Sequence, residues 1–145
     1  MKEHLEIARR QFERDEYARS LGIVLDDLTD TTIRMHMPLT AGMMNFYERP
    51  HGAVIYSLAD AAFSVLGNNR NTICVALDCS ITYHASPNPK AVLVVEGETL
   101  SLNRRTAAYV FSVYSDDGPV RTLIATMKSV SYRTGRPIEP GIPQE

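Results

Sequence analysis

From Gly52 to Leu66 nearly every position is apolar or small, and one carboxylate, Asp60, sits in the middle. A run of this length reads as a helix, and a helix apolar on every side is a buried one. A charge placed there costs free energy unless something pairs with it or uses it. Ahead of this run, residues 2–19 carry Leu5, Ile7, Ala8, Phe12 and Tyr17 at helical spacing, with Gly22 as the stop. Residues 23–30 and 31–38 read as short strands; in the second, Ile33, Met35 and Met37 alternate with Arg34 and His36, which gives it one buried face. Residues 39–50 form a loop into the apolar helix.

Beyond that helix the period changes to two. Residues 72–83 place Ile73, Val75, Leu77, Cys79, Ile81 and Tyr83 on one face, with Asp78 on the other. Strands follow over 91–102, 106–115 and 120–132. Asn103-Arg104-Arg105 makes one turn, and Asp117-Gly118 signals a two-residue hairpin. Prolines at 137, 140 and 143 make the segment from Thr134 an extended or disordered tail. The order helix, two strands, long helix, four strands predicts an α+β layer fold with a mostly antiparallel sheet. Residues 1–133 form a single domain, of which 1–20 are an N-terminal helix. A curved antiparallel sheet wrapped around the long central helix is the arrangement that covers such a helix.

Composition narrows the partners. A net charge of -2 with scattered basic residues gives no footprint for nucleic acid or an anionic membrane. No apolar run reaches transmembrane length, and the charged start MKEHLEIARR is no signal peptide. Cys74 and Cys79, five apart in one strand, are expected on opposite faces and so unable to bridge. Free thiols suit a reducing compartment, and a cytoplasmic location is expected. No His/Cys/Asp/Glu group has metal-ligand spacing, and neither a glycine-rich phosphate loop nor a serine nucleophile elbow is present. No metal and no cofactor are expected.

The segment Asn45, His51-Gly52-Ala53, Leu58-Ala59-Asp60 resembles the motif of hot-dog thioesterases of the phenylacetate-pathway type. The resemblance runs from about Leu21 to Tyr132 and includes ITYHASP at the end of the third strand. It implies a hot-dog fold and hydrolysis of an acyl-CoA thioester to free acid and coenzyme A, with Asp60, Gly52, Asn45 and His51 as the catalytic set. It also implies a homodimer with composite sites, which can pair into a tetramer. Arg104 and Arg105 fall where relatives often place basic residues for coenzyme A phosphates. Two departures stand out. Ala53 replaces a second glycine, and Ala76 stands where some relatives carry a hydroxyl that orients water. The second keeps a rival reading open: a non-catalytic acyl-CoA-binding protein on the same fold. A dehydratase on this fold is a weaker rival.

The physics of the motif stands beside the resemblance. A helix N-terminus offers unpaired N–H groups and partial positive charge, suited to an oxyanion forming on a thioester. Glycine lets the carbonyl approach the backbone closely. Asp60 is then general base on water or nucleophile, and the sequence leaves both routes open. Gly52 and Asp60 are eight residues apart on one helix, about 12 Å along its axis. One carbonyl cannot be within reach of both. If both act on one thioester they come from two chains; the resemblance implies that Asn45 and His51 accompany Gly52. His51 and Asn45 have bland roles too, as helix-entry residue and turn former. Met35, Met37, Met43 and Met44 suit core and loop filling better than an acyl pocket.

Overall fold

The protein was analysed as a computed structural model that describes residues 2–145. Its elements run α1 (Glu3–Glu13), α2 (Glu16–Ser20), β1 (Val24–Leu28), β2 (Thr32–Pro38), a short 3-10 turn (Ala41–Met43), α3 (Gly52–Gly67), β3 (Thr72–Tyr83), β4 (Val92–Leu102), β5 (Thr106–Asp116) and β6 (Arg121–Pro137). The expected single N-terminal helix breaks at Asp15, whose Oδ1 accepts from the Ala18 N–H at 3.0 Å and restarts the chain as α2.

All six strands form one antiparallel sheet in the order β1-β2-β4-β5-β6-β3. The central helix α3 packs on β2, β3, β4, β5 and β6, so the sheet wraps it as the α+β hot-dog reading expects. On β5, Ala107, Tyr109, Phe111, Val113 and Ser115 are buried in strict alternation and face the helix. Phe63 of α3 meets the rings of Tyr109 and Phe111 at 5.5 and 5.9 Å between centroids. Gly97 on β4 makes room for this cluster, since a Cβ there would stand 2.4 Å from the Phe111 ring. Met35, Met37 and Met43 are buried in the same core, and Met44 packs against it. These four methionines are therefore core residues.

Three expectations change. First, β3 carries a bulge between Ala76 and Asp78, with Leu77 the extra residue. Ala76 pairs with Ser131 and Cys79 with Ser129, and both serines are buried on the inner face. Both cysteines therefore share that face, and Val75 and Asp78 share the outer one, contrary to the uniform alternation. The thiols remain free. Second, β5 and β6 are joined by four residues, 117–120, not two, since Asp116 pairs with Arg121 and Gly118 takes φ +85°. Third, residues 134–145 do not form an extended or disordered tail. β6 continues to Pro137, and the rest folds back on the buried Asn71. The Asn71 Nδ2 donates to Glu139 O and Ile142 O, and its Oδ1 accepts from the Glu139 N–H at 2.9 Å.

That corner also holds α1. Arg10 pairs with Glu139 at 2.8 Å, while Lys2 and the buried His4 bind Asp30, whose carboxyl they hold down to about 2. The N-terminal helices are thereby fixed across α3. Tyr17 adds a bond to Ser57 at 2.9 Å.

Candidate active site

The N-terminus of α3 is built by a tight turn. The Asn45 N–H donates to Arg49 O at 2.7 Å, and Asn45 Oδ1 accepts from the N–H groups of Tyr47 and Arg49 at 2.9 and 3.1 Å. The side chain of Arg49 ties the turn to the loop after β3, donating to Ser86 Oγ and Pro87 O. Asn45 is thus a turn former, as its residue type favours. Its oxygen is committed, and its Nδ2 is left without a partner among the described residues.

His51 is the N-cap of α3. Its Nδ1 accepts from the Ala53 N–H at 3.0 Å, which puts the ring proton of the neutral imidazole on Nε2. His51 O takes the Val54 and Ile55 N–H groups. The Gly52 N–H has no acceptor among the described residues. It is the one donor of this helix start that the fold leaves unclaimed. Tyr83, at the end of β3, lies against it: its hydroxyl donates to Gly52 O at 3.0 Å, and a Cβ on Gly52 would be 3.4 Å from the ring. A cavity of about 310 Å³ opens there, lined by Gly52, Ile55, Tyr83 and His84 among others.

Asp60 lies two turns further along α3. The expectation of a helix buried on every side gives way here, because Ala53, Asp60 and Ser64 are exposed and Ser57 half-exposed. Positions 53, 57, 60 and 64 fall on one stripe of a 3.6-residue helix, and apart from Tyr17 at Ser57 that stripe is open in the single chain. Asp60 opens onto a cavity of about 160 Å³ with Phe63, Ser64, Cys74, Ala76 and Ser131 in its walls. Although solvent reaches the carboxylate, its surroundings still desolvate it. That burial, and then the Asp15 charge, raise its pKa above the ordinary carboxylate value. Ala76 lines the same cavity, so position 76 offers no hydroxyl there, and those in this cavity belong to Ser64 and Ser131.

The structure brings Asn45, His51 and Gly52 together and keeps Asp60 apart from them, about 12 Å along the helix. Arg104 and Arg105 are exposed in the β4–β5 turn and touch neither group; Arg105 O accepts from the Arg133 N–H at 2.7 Å. Sequence reasoning missed Tyr83, Asp15 and Ser64. Only Tyr83 carried a signal, as the last apolar position of its strand; the other two acquire their place from tertiary packing. Among the described residues no group of His, Cys, Asp and Glu is arranged to hold a metal ion.

Comparison with known proteins bears on the family and the fold. A family model described as thioesterase superfamily matches residues 50–122. The acyl-coenzyme A thioesterase PaaI of Escherichia coli K12 is 25% identical over 128 residues, covering 88% of this chain and 89% of that protein. The solved structure of the E. coli PaaI protein from the phenylacetic acid degradation operon superposes with a TM-score of 0.86, at 24% identity, over 92% of this chain and 95% of that one. A mutant of the phenylacetic acid degradation protein PaaI from Thermus thermophilus superposes with a TM-score of 0.76, at 27% identity, over 82% and 99%.

Proposed function

Since the chain belongs to the thioesterase superfamily, we propose that it hydrolyses acyl-coenzyme A thioesters to free acid and coenzyme A, at sites shared between two copies. One observation carries this reading. The helix that bears a desolvated carboxylate at Asp60 also starts with an unclaimed N–H at Gly52. The N–H receives the negative charge that develops on the thioester oxygen. Asp60 takes the proton of an attacking water, or attacks the carbonyl itself and gives an anhydride that water then opens. In both routes the C–S bond breaks, the thiolate leaves and takes up a proton, and the acid is released. His51 fixes the helix start, and the free Nδ2 of Asn45 orients the water or the carboxylate.

The distance from Gly52 to Asp60 requires two chains, and the sheet offers the means. β3 is an edge strand whose outer side has no partner in the chain, and Val75 and Leu77 on it are 49% and 58% exposed. A second copy that covers the open stripe of α3 brings its own Asp60 to this Gly52. Arg104 and Arg105 are the candidates for coenzyme A phosphates. The free thiols of Cys74 and Cys79 fit a reducing cytoplasm.

Incubation with a panel of aryl-acyl and straight-chain acyl-CoAs should release coenzyme A thiol in step with free acid. Binding of acyl-CoA without thiol release would instead make the protein the non-catalytic binder. The pH dependence is signed. Asp60 works deprotonated, so kcat/KM falls as pH drops through its raised pKa. Asp15→Asn removes one of the two causes of that rise. The acidic limb of its pH–rate profile should therefore lie at lower pH than in the native protein. An unmoved limb, or one moved upward, contradicts the assignment of Asp60 as the titrating base.

A further inference from the structure

Two cavities adjoin along the C-terminal half of α3. The 160 Å³ cavity that holds Asp60 shares Ser64 and Asn68 with a second cavity of about 470 Å³ under the N-terminal helices. The floor of the second is Val65 of α3 and Ile73 of β3. Its roof is Ala8, Gln11 and Phe12 of α1, closed at one side by Ile138 of the folded-back C-terminal segment. The bonds of Lys2 and His4 to Asp30 and of Arg10 to Glu139 hold that roof in place. Nothing in the catalytic arrangement uses this space.

We infer that the acyl group of the substrate runs from Asp60 along α3 into this second cavity, and that acyl chains of about eight carbons are the favoured class. The inference rests on the thioesterase reading of the Asp60 site. Its argument is continuity and length. A thioester carbonyl at Asp60 has one direction that leads past Ser64 and Asn68 between walls of α1, α3 and β3. The coenzyme moiety, large and anionic, must take the open side. From Asp60 to Asn68 is about 12 Å along the helix. An extended alkyl chain advances about 1.3 Å per carbon, given a C–C bond of about 1.5 Å, so roughly eight or nine carbons span that path. Half of the lining is apolar (Ala8, Phe12, Val65, Ile73 and Ile138) and rewards each methylene that packs on it, while Arg14 and Asp15 put one charge of each sign at the rim.

Two measurements test this separately from catalysis. In the first, straight-chain acyl-CoAs from two to twelve carbons are titrated calorimetrically into Asp60→Asn protein. Kd should tighten about two- to fourfold per methylene and level off near eight carbons. In the second, kcat/KM is measured over the same series for the native protein, Gln11→Trp and Phe12→Ala. Gln11→Trp narrows the cavity from the roof and should lower the octanoyl-to-butyryl ratio by about tenfold or more. Phe12→Ala widens it and should carry the plateau to longer chains; a thermal melt checks that each variant is folded. A Kd series flat with length, or a ratio and plateau that neither variant moves, overturns the inference. A length-dependent Kd without thiol release from any member keeps the cavity and removes the hydrolytic reading.

Discussion

Asp60→Asn should lower kcat for thiol release by at least about a hundredfold while leaving acyl-CoA binding in place. The size follows from the role. Asparagine keeps the shape of the side chain and removes both the base and the nucleophile, so either route loses its first step. General-base contributions are about 10²–10⁴, and a nucleophilic route loses more. Stability should not fall with activity, because the side chain is open to solvent in the chain and no hydrogen bond to it holds the fold together. Removing a carboxylate that burial disfavours stabilises the protein most above the raised pKa of Asp60, where the native group is charged. Steady-state kinetics with a thermal melt on the same sample separate the two readouts. Turnover within tenfold of the native value in a folded variant would take Asp60 out of the mechanism.

Mixing Asn45→Ala chains with Asp60→Ala chains should recover activity that neither variant has alone. Each heterodimer pairs the intact Asn45–Gly52 end of one chain with the intact Asp60 of the other at one of its two sites. The second site carries both lesions. Random exchange makes about half of the dimers mixed, so recovery should approach about a quarter of native activity. The test is demanding because a site contained in one chain recovers nothing. Co-expression with two different affinity tags shows whether mixed dimers have formed. Mixed dimers that remain inactive would refute the shared site and with it the pairing of Gly52 with a neighbour's Asp60. Asn45→Ala also loosens the turn that Asn45 shapes. Recovery would itself show that the helix start of the other chain was the part required.

The layer order was legible because it depends on local periodicity. α3 begins at Gly52 and β3 spans residues 72–83 as the pattern predicts, and β5 alternates without a fault. The motif was legible for the same reason, since Asn45, His51 and Gly52 are placed by one turn and one cap. What could not be read depends on partners distant in sequence. The bulge at Leu77 is a matter of how β3 meets β6, and it silently reversed the face assigned to Val75 and Cys74. The C-terminal segment looked unstructured by its prolines, yet Asn71 gives its backbone bonds that no local rule supplies. Asp60 was read as buried because its neighbours in sequence are apolar. Ser57 and Ser64, three before and four after it, mark the uncovered stripe and were hidden among alanines.

The bulges bear on what this sheet can become in concentrated solution. Its two outer strands are β1 and β3, and unpaired edges of that kind template runaway strand addition. Both are interrupted, β3 between Ala76 and Asp78 and β1 between Leu25 and Asp27. An interrupted edge bends and twists away from the flat ladder that an incoming strand needs. The sheet thus ends in two blunted rims, which lets one specific neighbour dock on β3 and denies a fibril its seed.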